Sequence, residues 1–206
     1  MNIKLIITGT ILFLVSTAIL STIYVTWLMY PLEISYLGIE QIVYMKSDEI
    51  IYNFNSLMQY LTNPFQTILN MPSFSSSKDG LKHFSDVKQL FHLTQAICLF
   101  SFPAFVLFVK NIVKKGYGRL FSKVFIWLAL VPVIIGFVGV VIGFDHFFVL
   151  FHTILFPGDS TWLFNPNTDP VIYILPEEFF MHCFILFFIF YEAFSLTMLR
   201  LVSREK

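Results

Sequence analysis

The chain has 206 residues, of which 57% are hydrophobic and 13% charged, with 13 Lys and Arg balanced by 13 Asp and Glu. Its length fits a single domain. The apolar excess, with 26 phenylalanines and a mean hydropathy of +0.76, excludes an ordinary soluble fold. The neutral balance gives no reason to expect a nucleic-acid partner.

A spanning helix needs about 20 mostly apolar residues, and four such stretches are predicted. The first covers residues 3–30 and runs up to Pro31. A single Lys4 precedes it and no small-residue cleavage site follows a short apolar core, so it reads as a retained span rather than a signal peptide. Residues 31–86 then form a long polar segment. Its opening, Leu32 to Met45, mixes Ile, Tyr, Val and Leu in broken alternation, which leaves room for a short β-strand or two. Ser47-Asp48-Glu49 marks a helix start with acids in its first turn, and Asn63-Pro64 marks its end. Ile50, Ile51, Phe54, Leu57, Met58 and Leu61 share one face of that helix. The plainer reading packs this face on the rest of the segment; the alternative lays the helix in the lipid headgroup layer. Ser73 to Gly80 reads as loop.

The second span covers residues 87–109 and the third 120–144, interrupted by Pro103 and Pro132. Gly136, Gly139 and Gly143 are spaced as if to admit another helix closely. Residues 145–176 carry Pro157-Gly158, Asn165-Pro166 and Asp169-Pro170, which predict a folded loop rather than a helix, with a short strand over residues 171–175. Pro176-Glu177-Glu178 opens the fourth span, 177–199, and places both acids at the positive end of the helix dipole. Cys98 and Cys183 lie in apolar runs and read as small core residues rather than a disulfide.

Basic residues orient the spans. Lys4, Lys110, Lys114, Lys115, Arg119, Lys123, Arg200, Arg204 and Lys206 flank one set of span ends, which the positive-inside rule assigns to the cytoplasm. The expected fold is therefore an all-α integral membrane protein. It is a four-transmembrane-helix bundle, N-in and C-in, forming one membrane domain over residues 1–206. Segments 31–86 and 145–176 make a small extracytoplasmic cap.

All five histidines fall in the outward half. On a helix starting near His83, Asp86 is three residues on and shares its face, so a carboxylate could fix the imidazole tautomer. Asp86 could equally be a mere helix cap with His83 an interface residue. His152 precedes Asp159 in the second polar segment, and loops commonly carry sites. His92 and His182 read as structural residues inside their spans, and His146 as an interface residue. No G-x-S-x-G elbow, Walker loop or dinucleotide fingerprint is present. Ligation of a metal by His83, Asp86, His152 and Asp159 is conceivable on ligand count, but H-x-x-D is a weak metal signal. No metal or cofactor is expected.

Two clusters stand out together. One is His83-Phe84-Ser85-Asp86-Val87; the other comprises Phe151-His152, Asp159, Trp162, Asp169-Pro170 and Pro176-Glu177-Glu178-Phe179-Phe180. In this order, leading into spans two and four of a four-span chain, they resemble the lipoprotein intramolecular transacylase (Lit) family of Gram-positive bacteria. The resemblance implies a multi-pass cell-membrane enzyme with its active site on the extracytoplasmic face. Its partners would be membrane lipid and a diacylglyceryl-modified lipoprotein whose N-terminal cysteine has a free α-amine. The enzyme would move the sn-2 acyl chain onto that amine and leave a lyso-form lipoprotein. Nucleophile and ester then belong to one substrate and close a ring of about eight atoms, so orientation can supply much of the acceleration. No acyl-enzyme is needed. The α-amine, with a pKa of about 7.7–8.0, must lose a proton to attack, and the glyceryl oxygen must gain one. The resemblance thus implies His83 and His152 as a base and acid pair, oriented or polarised by Asp86 and Asp159. Trp162 and Asn165 would shape the site or stabilise the oxyanion, and Glu177 would support it from the start of span four. A metal-dependent membrane hydrolase and a non-enzymatic accessory protein remain the competing readings.

Overall fold

The computed structural model describes residues 2–204, which form seven α-helices and no β-strand. Four helices are long and apolar enough to cross a membrane: Ile3–Tyr36, Lys78–Val113, Gly118–Ile142 and Glu177–Ser203. The chain is a multi-pass membrane protein. Lys206, counted among the basic residues after the fourth span, lies outside the described residues.

The chain divides into two compact units. One contains the chain up to Thr22, Thr94–Ile142 and the chain from Phe184 onward. It holds most of α1 (Ile3–Tyr36), the C-terminal half of α4 (Lys78–Phe108), all of α5 (Ser122–Ile142) and most of α7 (Glu177–Ser203). Its core is Ile6, Leu14, Phe108, Ile112, Phe125, Met198 and Val202. Phe13 stacks on Phe105 at 4.7 Å between ring centres. Outside that core the apolar side chains of α4 and α5, such as Leu99, Phe100, Phe137 and Val140, are exposed, as lipid-facing residues are. Close helix approach does occur, but at other glycines than the spacing suggested. A Cβ on Gly9 would stand 2.5 Å from the Ala104 Cβ, and one on Gly118 would stand 2.8 Å from the Val202 backbone. At Gly136 a Cβ would make ordinary contact with the Phe188 ring, and Gly143 serves the backbone with a φ of 86°.

The second unit contains Ile23–Leu93 and Gly143–Cys183. Here the expected strands are helical. Leu32 to Tyr36 prolongs α1 beyond Pro31, because a proline inside a long helix removes a single donor without ending the surrounding turns. Left-handed Gly38 then turns the chain into α2 (Ile39–Val43). Val171 lies in a 3₁₀ turn, Pro170–Tyr173, not a strand. Short runs of β-branched residues do not choose between strand and helix; burial does, and Ile34, Ile39, Val171 and Ile174 are all fully buried.

Helix α3 (Ser47–Thr62) starts and stops where the sequence places it. Ile50, Phe54, Leu57, Met58 and Leu61 are buried, so its apolar face packs inside this unit. Buried Tyr30 organises the centre: its hydroxyl donates to the Ile174 carbonyl at 2.6 Å, and its ring stacks on Phe54 and meets the edge of Phe179. Residues 145–155 are not loop. After Gly143 the chain re-enters a helix, α6 (Phe144–Leu155), which carries His152 in its last turn. Twelve largely apolar residues between a glycine hinge and Pro157-Gly158 suffice for three turns.

Candidate active site

The second unit brings the two sequence clusters together. His83 lies two turns into α4 and is buried, as is the neighbouring Phe84. Facing them are His152 from α6 and the loop over residues 156–169. The His83 and His152 rings stand 5.9 Å apart between centres. Aromatic rings enclose them. Phe156 and Phe164 meet His83 edge-on at 5.0 and 5.5 Å, and Trp162 stacks on His152 at 4.7 Å with 26° between planes. Phe148 touches His152 at 4.2 Å and Phe180 at 5.4 Å.

The two imidazoles differ in how they are held. His152 Nδ1 is 2.8 Å from the Phe148 carbonyl oxygen. A carbonyl only accepts, so Nδ1 carries the proton and the lone pair of the neutral ring lies on Nε2. Burial among aromatic rings penalises the imidazolium and lowers the His152 pKa from its ordinary value, an effect the Phe148 bond opposes. His83 Nδ1 is buried without a hydrogen-bond partner. A buried polar atom left unpaired is costly in a finished fold, and this one is open to a polar group of a bound molecule.

Asp86 and Asp159 do converge here, but on Lys82 rather than on the imidazoles. Lys82 Nζ bonds Asp86 Oδ2 at 2.7 Å, one helical turn along α4, and also bonds Asp159 Oδ2 across the fold. The Lys82 ammonium, with bonds from Thr161, holds the Asp159 carboxyl well below the usual carboxylate range. Any influence of these acids on the histidines therefore runs through position and field. Lys82 was absent from the sequence-predicted set. Its i, i+4 spacing to Asp86 was a usable signal; its bond to Asp159, 77 residues away, was not.

The remaining predicted residues serve the loop. Trp162 Nε1 donates to the Asp159 carbonyl at 3.0 Å, so its N–H is committed and its ring is what the site sees. Asn165 is exposed, and its side-chain and main-chain oxygens accept from Asn167, Thr168 and Asp169 in the following turn. Glu177 and Glu178 are exposed on the first turn of α7. Asp169 is buried and does more than the sequence suggested. It accepts from the Ser77 N–H and the Thr168 hydroxyl, both at 2.7 Å, and occupies the space a Cβ on Gly80 would need. The loop is thus fastened twice, by Asp159 at Lys82 in α4 and by Asp169 at Ser77 just before it, both on the N-terminal side of His83.

The other histidines lie apart from this pair. His182 Nδ1 bonds Glu33 Oε2 at 2.8 Å, joining α7 to α1. His92 donates to the Leu61 carbonyl, and His146 pairs with Asp145 on an exposed turn. Glu33, 149 residues from His182, gave no signal in the sequence. Among the described residues no three His, Cys, Asp or Glu side chains converge as a metal site would require, and Cys98 and Cys183 are free thiols.

The sequence model of the lipoprotein intramolecular transacylase Lit family matches residues 4–180. A search of curated protein sequences finds no match. Among solved structures, an in meso structure of the membrane integral lipoprotein intramolecular transacylase Lit from Bacillus cereus superposes with a TM-score of 0.85. It is 29% identical, over 95% of this chain and 90% of that one. Two forms of the Bacillus cereus protein, each with one histidine replaced, by arginine or by alanine, superpose with TM-scores of 0.79. They are 30% and 28% identical and cover 97% of this chain and 88% and 90% of theirs.

Proposed function

Because this chain belongs to the lipoprotein intramolecular transacylase (Lit) family, we propose that His83 and His152 move the protons of an O-to-N acyl transfer within one lipoprotein substrate. The substrate is a diacylglyceryl lipoprotein with a free amine on its N-terminal cysteine, and the chain transferred is the sn-2 acyl group. The observation that carries this reading is the pair itself: two imidazoles 5.9 Å apart in an aromatic enclosure. Basic residues flanking the opposite span ends support an extracytoplasmic site with both termini in the cytoplasm.

The tautomer of His152 suggests the division of labour. With Nδ1–H held by Phe148, Nε2 takes the proton from the cysteine amine as its nitrogen attacks the ester carbonyl. A C–N bond forms, the bond from carbonyl carbon to glyceryl oxygen breaks, and the imidazolium of the pair returns a proton to that oxygen through His83. The amide and the free sn-2 hydroxyl leave together in one product. The enzyme ends as it began and needs no nucleophile of its own. The enclosing rings, Phe156, Trp162 and Phe164, keep water from the tetrahedral intermediate and fold the two ends of the substrate toward each other.

The test is mass spectrometry of a lipoprotein N-terminal peptide from a heterologous host expressing this protein. One acyl chain is expected to shift from glycerol to nitrogen, and His83→Ala and His152→Ala should each lower conversion by about 10²–10⁴-fold. Near-normal conversion by either variant at equal expression would refute the pair.

A further inference from the structure

We propose that the connection after α3, residues 63–68, is a wedge inserted into the lipid leaflet, with Phe65 and Ile68 reaching among the acyl chains. Three observations support it, the first two through its depth. First, α4 with its terminal turn is far longer than a bilayer's hydrocarbon core of about 30 Å requires. Its charges, Lys78, Asp79, Lys82, Asp86 and Lys88, crowd the N-terminal turns, and no Asp, Glu, Lys or Arg follows until Lys110. The hydrocarbon therefore begins just after Lys88. Second, the end of α3 docks on α4 at that level. The Lys88 ammonium lies over the Tyr60 ring at 4.4 Å and bonds the Gln66 carbonyl, while His92, one turn deeper, bonds the Leu61 carbonyl. Lys88 and His92 are i and i+4 on one face of α4, so the end of α3 follows that face past the membrane boundary.

Third, the connection is braced by hydrogen bonds of its own side chains and leaves apolar groups exposed. Asn63 Oδ1 accepts from the Phe65 N–H at 2.9 Å, and Gln66 Nε2 donates to the Ile68 carbonyl at 3.1 Å. Phe65 is 90% exposed and Ile68 71% exposed. A scattered exposed apolar residue needs no explanation. Two on one braced turn, held at the edge of the hydrocarbon by a cation and an imidazole, fit an interfacial anchor. The occupant is lipid because of this depth, whichever leaflet faces the cell exterior. The proposal is thus independent of the acyl-transfer mechanism.

The experiment uses the full chain in phosphatidylcholine/phosphatidylglycerol vesicles, in a Cys98→Ser, Cys183→Ser background. Nitroxide labels are placed singly at Phe65→Cys and Ile68→Cys. Phe100→Cys, on the exposed apolar surface of α4, is the lipid reference, and Asn167→Cys, on the exposed loop turn, is the water reference. Labels at 65 and 68 are expected to collide with oxygen and escape a water-soluble nickel chelate, as at 100. Nickel access equal to that at 167 would overturn the proposal. So would shielding from both reagents that disappears on dilution of the protein in lipid, which would mean that a second copy covers the loop.

Discussion

The clamp between Asp169 and α4 allows a prediction in which one substitution changes sign with its background. Asp169 accepts two hydrogen bonds, each 2.7 Å long, from the Ser77 N–H and the Thr168 hydroxyl, at a buried position. Bonds to a charged acceptor contribute about 1.5–3 kcal/mol each, offset in part when water reaches the stranded donors. Asp169→Ala should therefore cost about 2–4 kcal/mol. Gly80→Ala in the otherwise native chain places a methyl group where the Asp169 carboxylate stands. The clamp must shift, at a cost of about 1–3 kcal/mol. With Asp169→Ala already present that obstacle is gone, and the nearest remaining neighbour, Ser77 Oγ, is at an ordinary 3.5 Å. Only the helix preference then acts, and it favours alanine by about 0.5–1 kcal/mol. The double-mutant cycle should thus show a coupling of at least about 1.5 kcal/mol, well beyond the additive limit for independent sites. The assay is the thermal unfolding midpoint in one detergent, where a chain of this size moves by about 2–4 °C per kcal/mol. Gly80→Ala should lower the midpoint of the native chain and raise or leave unchanged that of Asp169→Ala. An identical downward shift in both backgrounds would refute the clamp.

Three further outcomes follow from the site. Lys82→Met frees Asp159 and its loop, so conversion should fall by up to about 10²-fold, the cost of misplacing a site by an ångström; unchanged conversion would show that the Asp159 tether does not hold His152 and Trp162 in register. Trp162→Ala removes the ring stacked on His152 and should cut turnover more than Trp162→Phe, which keeps an apolar ring but loses the bond to Asp159; equal losses would assign the effect to that bond instead. Burial lowers the His152 pKa, so the ring stays neutral and able to accept a proton below the ordinary histidine value of about 6.5. With saturating lipopeptide, log turnover should fall with unit slope below the α-amine pKa of about 7.7–8.0 and steepen to a slope of two only below pH 6.5, and steepening already above that value would exclude His152 as the base.

Much of the fold was legible locally. Four spans, the bounds of α3 and its inward apolar face depend on hydropathy, first-turn acids and a 3.6-residue period, all of which are carried within one segment. The strands expected in residues 32–45 and 171–175 failed for a definite reason: β-branched residues such as Ile34 and Val171 are buried equally well by a helix, and only their neighbours choose. The sequence predicts a loop at His152 because Pro157-Gly158 and Asn165-Pro166 dominate its surroundings. The three helical turns before them carry no start signal other than Gly143 and a single first-turn acid, Asp145.

The candidate site divides along the same line. Sequence alone selected His83 and His152, since titratable residues are conspicuous in a chain this apolar and the flanking motifs resemble one family. It could not supply the 5.9 Å between their rings, the tautomer imposed on His152 by Phe148, or the transfer of Asp86 and Asp159 from the histidines to Lys82. The ring separation and the Lys82–Asp159 bond depend on contacts between residues tens of positions apart, whose cost in chain entropy is recovered only when α4, α6 and the loop after it pack together, whereas the Phe148 bond is four residues away and forms because α6 is a helix. Composition determined that this protein lives in a membrane, and charge determined which ends of its helices to compare. Tertiary structure decided which polar groups meet, because a buried hydrogen bond is specified by where two distant segments are brought and by nothing in either segment alone.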